Sequence, residues 1–464
     1  MSDQEKSITN NKTNQKKLTD HTEGSIIGSI LKMGLPSMIG FGLGNIYSLV
    51  DMYWLSGLGP EAVAALTIAG PMLWVAHSAN HIVGVGSVAI ISRRYGEKNV
   101  ERTERSIKDT ILLKWIAALF FGFLGYLLAP WALDLLGAEG EVHKIAVIYS
   151  RIIFIGLGFN FATYSVFTSM RGTSNPNIAM ALMISLSVFN IILDPFMIFG
   201  WWIFPAWGVK GAAWASVISY ALAFIVGMII MYAGGTNIKL RLWSREKIRY
   251  DTMWRILKIG APAAVGSFSF TTSRAVIMPI IATYGTGVVA AYGVSQHIAA
   301  LGVMLMVGIG LGLSALIGHN LGAKKFERAR ETASQAIRLA VGIMTFLGLM
   351  TVIFARYIMG QFFEEPEIIE YGITILYVSA LALPFLGAYF MMENIYTGVG
   401  ENKPIMTMDI TSGWLMQIPS ILICVHLLGM NQNSVWWCMS ISNIAITWIF
   451  YLYYRRGNWL HVKV

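Results

Sequence analysis

This chain is poor in charge. Asp, Glu, Lys and Arg make up 13% of its 464 residues, about half the share in soluble globular domains, and the mean hydropathy is +0.59. That excludes an ordinary soluble fold. Cysteine is nearly missing: Cys424 and Cys438 are the only two. Both fall in apolar runs, which reads as packing rather than a disulfide or a metal pair. No GxxxxGK[ST] element occurs, so glycine-rich stretches such as GIGLGLSALIG are not phosphate loops and ATP is not the energy source. Small residues there suit close helix packing instead. No HExxH pattern or catalytic cluster is present, so neither a resident cofactor nor an enzyme is implied. The first 28 residues have no apolar core region and carry Lys6, Lys12, Lys16 and Lys17. They predict a disordered cytoplasmic tail rather than a cleavable signal peptide.

What the chain has in abundance is long apolar stretches. Hydrophobic residues make up 55% of it. At about 20 residues per crossing, twelve spans are predicted, at roughly 29–56, 62–91, 109–136, 144–171, 176–200, 208–233, 255–284, 287–317, 331–361, 367–398, 405–428 and 433–454. The fold class is all-α integral membrane. The net charge of +9 does not point to nucleic acid, because the cations alternate between loops. Arg93, Arg94, Lys98, Arg102, Arg105 and Lys108 fill one connection, Lys239 to Lys258 another, and Lys324, Lys325, Arg328 and Arg330 a third. The intervening connections lean acidic, with Glu61, Glu139, Glu141 and Glu364 to Glu370. By the positive-inside rule both termini are cytoplasmic, in a multi-pass protein of the cell membrane in contact with membrane lipid.

The two halves repeat. ILKMGLP at Ile30 recurs as ILKIGAP at Ile256. With the same shift, Gly59, Gly84, Gly86, Gly96 and Lys98 fall on Gly285, Gly310, Gly312, Gly322 and Lys324. The predicted organisation is a tail (1–28), a six-helix lobe (29–233), a basic cytoplasmic linker (234–254) and a second six-helix lobe with a short tail (255–464). Six spans per repeat give both lobes one orientation, related by an axis along the membrane normal, which is a transporter architecture. Two such lobes form a pathway without a partner chain, so a functional monomer is expected.

Against this background two carboxylates stand out. Asp51 lies in GNIYSLVDMYWLSGLG and Asp194 in SVFNIILDPFMIFG. An ionised carboxylate in hydrocarbon costs roughly 3 kcal/mol on insertion scales and persists by pairing, by facing water, or by binding a proton or cation. The repeat sharpens the point: Asp51 aligns with Ile277, Asn190 with Ile418 and Asp194 with Leu422. The scaffold is duplicated and the acids are not, which predicts an ion site in the N-terminal lobe alone.

The runs YSLVDMYWLSGLGPEAVAAL, SRRYGEKN, RGTSNPN, NIILDPFMIFG and WGVKGAAWAS resemble the multidrug and toxic compound extrusion (MATE) family, in its prokaryotic branch with N-lobe acids. The resemblance covers nearly the whole chain after the tail. It implies export of cationic, amphipathic drugs and dyes in exchange for protons or sodium ions. Carried over by position, it implies an ion-coupling site of Tyr47, Asp51, Asn190, Asp194 and Ser216 with the carbonyl of Ala212, sodium being held by Asp51, Asn190 and Asp194. Another branch carries a Glu early in span 7, where this chain has Phe270.

Tyr47 and Asp51 are four residues apart, as are Asn190 and Asp194, so each pair shares a helix face. Such oxygens suit a hard cation, and repulsion between close carboxylates favours retention of a proton. Pro195 removes a backbone donor in span 5. Arg274 and Glu393 are lone opposite charges in spans 7 and 10 and are expected to pair. His77 and His81, one turn apart, read as helix–helix hydrogen bonders or as a proton relay. The alternatives are a lipid-linked oligosaccharide flippase of the same superfamily, an integral-membrane enzyme and a channel. The repeat and the missing catalytic cluster disfavour the last two.

Overall fold

The structure, a computed structural model, describes residues 21–202, 204–241 and 250–462. All secondary structure among them is helical. Eleven single helices and one bent pair make the twelve expected spans. The first six are span 1 (Ile26–Ser56), span 2 (Pro60–Gly96), span 3 (Val100–Leu135), span 4 (Gly140–Ile155 and Leu157–Gly172), span 5 (Pro176–Phe199) and span 6 (Val209–Ala233). The second six are span 7 (Tyr250–Ala282), span 8 (Thr286–Gly322), span 9 (Phe326–Gly360), span 10 (Pro366–Val399), span 11 (Lys403–Leu427) and span 12 (Asn433–Arg455).

Local chemistry sets the ends. Ser25 and Asn99 cap spans 1 and 3 by accepting from Gly28 N and Arg102 N at 3.2 and 3.0 Å, and Pro60, Pro176 and Pro366 sit where a missing N–H costs nothing. Gly200 and Gly234 end spans 5 and 6 in the left-handed region that glycine adopts freely. Span 4 bends by 51° between its halves. At the bend a Cβ on Gly156 would lie 2.2 Å from Val217 on span 6, so the break is packed against a neighbour. Span 11 contains two π-helical stretches, Thr411–Gln417 and Ile423–Leu427.

Three expectations shift. The basic connection after span 2 is mostly helix: Arg93 and Arg94 lie in the last turn of span 2, and Arg102, Arg105 and Lys108 lie on span 3. Charge marks the side of the membrane and does not break a helix. The predicted disordered tail is ordered where it is described: Lys325 Nζ donates to Thr22 O at 3.0 Å and Arg328 to Gly24 O at 2.9 Å. Residues 1–20 and 242–249 lie outside the described residues. The described start of the linker packs inward, with Ile238 and Leu240 buried against Tyr95 and Ile107.

The lobes meet through a reciprocal glycine seam. A Cβ on Gly86 would lie 2.0 Å from Ile256 O, and one on Gly260 1.7 Å from Ile82 O. A Cβ on Gly96 would lie 2.2 Å from His319 O, and one on Gly322 2.1 Å from Arg93 O. His319 and Gly322 are the repeat equivalents of Arg93 and Gly96, so the two contacts of the second pair exchange under the sequence repeat, which acts there as a two-fold axis. Backbones this close gain Cα–H···O contacts and dense packing, which hold helices together where hydrophobicity cannot. These contacts lie in the half of the bundle that carries the basic turns. In the opposite half a Cβ on Gly70 or Gly293 would meet no described residue within 4 Å. The lobes are therefore joined backbone to backbone at the basic end.

Candidate functional site

Spans 1, 5 and 6 carry the site. Because residues four apart stack on a helix, its side chains form three successive layers. Leu55, Ile198 and Ala212 make an apolar layer with Trp54 and Phe199 against it. One turn further in lie Asp51, Asp194 and Ser216, and one turn beyond them Tyr47, Asn190 and Tyr220. Both acids are within helices, Asp51 in Ile26–Ser56 and Asp194 in Pro176–Phe199, so neither is a helix cap. Span 5 runs as one helix through Pro195.

Asp194 is fully buried and Asn190 and Ser216 nearly so, while Asp51 is half-buried. Asn190 Nδ2 donates to Asp194 Oδ1 and to Ser216 Oγ, each at 3.4 Å. The two carboxyl groups are within electrostatic range of each other. Like charges this near favour a proton or a cation between them. Asp51 Oδ1, Asp194 Oδ2 and Asn190 Oδ1 are all buried with no hydrogen-bond partner among the described residues. Three acceptor oxygens without donors form a donor set for a hard cation, or for protons.

Tyr47, Tyr164 and Asn160 lie close to Tyr220. Tyr149 lies within electrostatic range of both carboxylates. Of the residues singled out in the sequence, Tyr47, Asp51, Asn190, Asp194 and Ser216 thus come together. Ala212 sits one turn away, against Leu55 and Ile198. Tyr149, Asn160, Tyr164 and Tyr220 are additions that sequence reasoning misses, because tyrosine in an apolar helix is commonplace. The equivalent place in the other lobe is hydrocarbon: Ile277 and Ile418 are buried with Ile281, Val288, Ile421 and Trp436.

Arg274 and Glu393 do not pair. The Arg274 guanidinium lies over the Phe270 ring, 4.6 Å from its centre, where the ring face attracts the cation. Glu393 instead neighbours Asp409, which accepts a hydrogen bond from Tyr389. A Cβ on Gly266 would lie 2.5 Å from Asp409 Oδ2, so glycine makes room for that carboxylate. Asp409 was legible as an acid in PIMTMDITSG and passed unnoticed. His81 has Lys114 as its charged neighbour rather than either N-lobe acid. The thiols of Cys424 and Cys438 are free and 3.5 Å apart. A groove of about 690 Å³ lined by Ser56, Gly59, Pro60 and Thr67 lies where spans 1 and 2 join and contains neither acid.

Comparison with known proteins gives a consistent picture. The MatE family model matches residues 36–196 and 262–423, two segments whose starts repeat the internal shift. The probable multidrug resistance protein YpnP of Bacillus subtilis (strain 168) is 23% identical over 452 residues, covering 97% of this chain and 99% of the relative. The multidrug export protein MepA of Staphylococcus haemolyticus (strain JCSC1435) is 25% identical over 442 residues, covering 95% and 96%. A solved structure described as the outward-facing conformation of a multidrug resistance MATE family transporter of the MOP superfamily superposes with a TM-score of 0.85. It is 24% identical, over 97% of this chain and all of that one.

Proposed function

Because the chain belongs to the multidrug and toxic compound extrusion family, a family of membrane transport proteins, we propose that it is a secondary active antiporter. In this reading it exports cationic amphipathic drugs or dyes in exchange for protons or sodium ions. The observation that carries the proposal is the N-lobe cluster, in which three buried acceptor oxygens on Asp51, Asp194 and Asn190 lack donors. A proton or sodium ion supplies what those oxygens lack. The same place in the C-terminal lobe is filled by Ile277 and Ile418, which supports coupling through one lobe.

The charge distribution supports a cytoplasmic basic end. The glycine seam then closes the cytoplasmic side. In this state the coupling ion enters from outside. Its binding lets Asp51 and Asp194 approach, which biases spans 1 and 5. Coupling requires that ion and drug favour different states, not merely that both bind. No other chain is needed for such a pathway.

The test uses purified protein in liposomes loaded with ethidium, with a proton or a sodium gradient imposed separately. Gradient-driven dye movement in wild type that is lost in Asp51→Asn supports antiport and identifies the ion. Wild-type movement by Asp51→Asn removes the carboxylate from the mechanism. No movement under either gradient favours the flippase alternative.

A further inference from the structure

The N-terminal lobe also buries cations that the carboxylate site does not use. Lys114 lies in the apolar run TILLKWIAALFF on span 3 and is 1% exposed. Arg171, near the basic end of span 4, is 5% exposed, and its Nε has no hydrogen-bond partner. The two are within electrostatic range of each other, and His81 on span 2 is within range of Lys114. Gly84 on span 2 faces the lysine: a Cβ there would lie 3.9 Å from Lys114 Nζ. Among the described residues, neither Lys114 nor Arg171 forms an ion pair with a carboxylate. The buried acids of span 3 are engaged elsewhere. Glu104 takes Lys108 Nζ and Arg241 N, each at 2.7 Å, and Asp109 lies in range of Arg94.

A single buried cation without a counter-charge costs several kcal/mol, and a second within electrostatic range adds repulsion. Lysine escapes by losing its proton and arginine cannot. An anion beside the guanidinium removes that cost and lets the lysine keep its charge. A carboxylate brings one charge and would leave the pair half-neutralised. A phosphate monoester brings about −1.5 to −2 and three acceptor oxygens, matching one guanidinium, one ammonium and an imidazole. His81 is the exposed member, so the cluster reaches the surface on that side. It also lies near the carboxylate site, since Arg171 is within electrostatic range of Tyr164, which is within range of Tyr47.

We propose that Lys114, Arg171 and His81 form an oxyanion site inside the N-terminal lobe that takes a phosphate monoester group. The inference goes beyond the antiport reading and holds whether or not Asp51 and Asp194 carry the coupling ion. The phosphate comes either from a soluble solute or from a lipid headgroup, and the experiment separates these sources.

Thermal unfolding of the full-length protein is followed in neutral detergent with inorganic phosphate, against sodium chloride at matched ionic strength. In parallel it is followed in phosphatidylcholine nanodiscs with and without phosphatidic acid. Wild type is compared with Lys114→Met, Lys114→Arg and Arg171→Gln. A melting temperature that rises with phosphate, with apparent affinity at least tenfold weaker in Lys114→Met and Arg171→Gln and retained in Lys114→Arg, supports the site with a soluble ligand. The same pattern with phosphatidic acid alone supports it with a lipid headgroup. Lys114→Met melts at or above wild type without ligand, since it removes an uncompensated charge, so loss of the response is not loss of the fold. The proposal is overturned if neither probe shifts wild type, if the shift survives in Lys114→Met and Arg171→Gln, or if Lys114→Met alone fails to fold.

Discussion

The glycine seam gives the sharpest quantitative prediction. In Gly86→Ala the new methyl carbon would sit 2.0 Å from Ile256 O, and in Gly260→Ala 1.7 Å from Ile82 O. An ordinary carbon–oxygen contact is roughly 3.3–3.6 Å. Both obstructing atoms are backbone, so no side-chain rotation relieves the overlap and spans 2 and 7 must part by roughly an ångström or more. Overpacking of this kind costs about 1–3 kcal/mol, paid only in the state with the basic end sealed. Each substitution should therefore shift the conformational equilibrium about 5- to 150-fold toward the state with that end open. Spin labels placed across the basic end, one on each lobe, read the distance distribution in nanodiscs. Gly70→Ala, whose methyl would meet no described residue within 4 Å, serves as a control and should leave the distribution unchanged. An unaltered distribution in Gly86→Ala and Gly260→Ala, with transport at the wild-type rate, would refute the claim that this seam is the gate.

Further outcomes follow from other contacts. Glu393→Gln, in the lobe whose equivalent of the ion site is hydrocarbon, should keep its dye flux dependent on the ion gradient; loss of that dependence would move coupling to the C-terminal lobe. Diamide should convert Cys424 and Cys438, whose sulfurs are 3.5 Å apart, to a disulfide within one chain. Alkylation followed by mass spectrometry would detect it, and thiols that stay fully alkylatable would show that spans 11 and 12 do not meet there.

Much of this was legible in the sequence, for physical reasons. A carboxylate inside an apolar run is costly, so Asp51 and Asp194 declare themselves. The repeat then shows that only one lobe carries them, and buried Ile277 and Ile418 bear out the contrast. That the two acids approach across spans far apart in the chain depends on packing, which periodicity does not encode. Tyr149, Tyr164 and Tyr220 were hidden because aromatic residues are frequent in membrane helices and only their place beside Tyr47 and the carboxylates in the folded chain distinguishes them. Arg274 does not pair with Glu393: the arginine lies over the Phe270 ring face, and a second acid, Asp409, lies beside the glutamate. The bend at Gly156 was equally silent, since glycine is ordinary in such helices and the cause is Val217 on another span.

The central claim is that the N-lobe carboxylates hold the ion that the drug displaces. It is tested most directly by measuring ion release from purified protein as ethidium is added, with a pH-sensitive dye for protons and labelled sodium for sodium ions. Wild type and Asp409→Asn should release the ion on binding ethidium, and Asp194→Asn should bind ethidium without release. Release that persists in Asp194→Asn and disappears in Asp409→Asn would contradict the account.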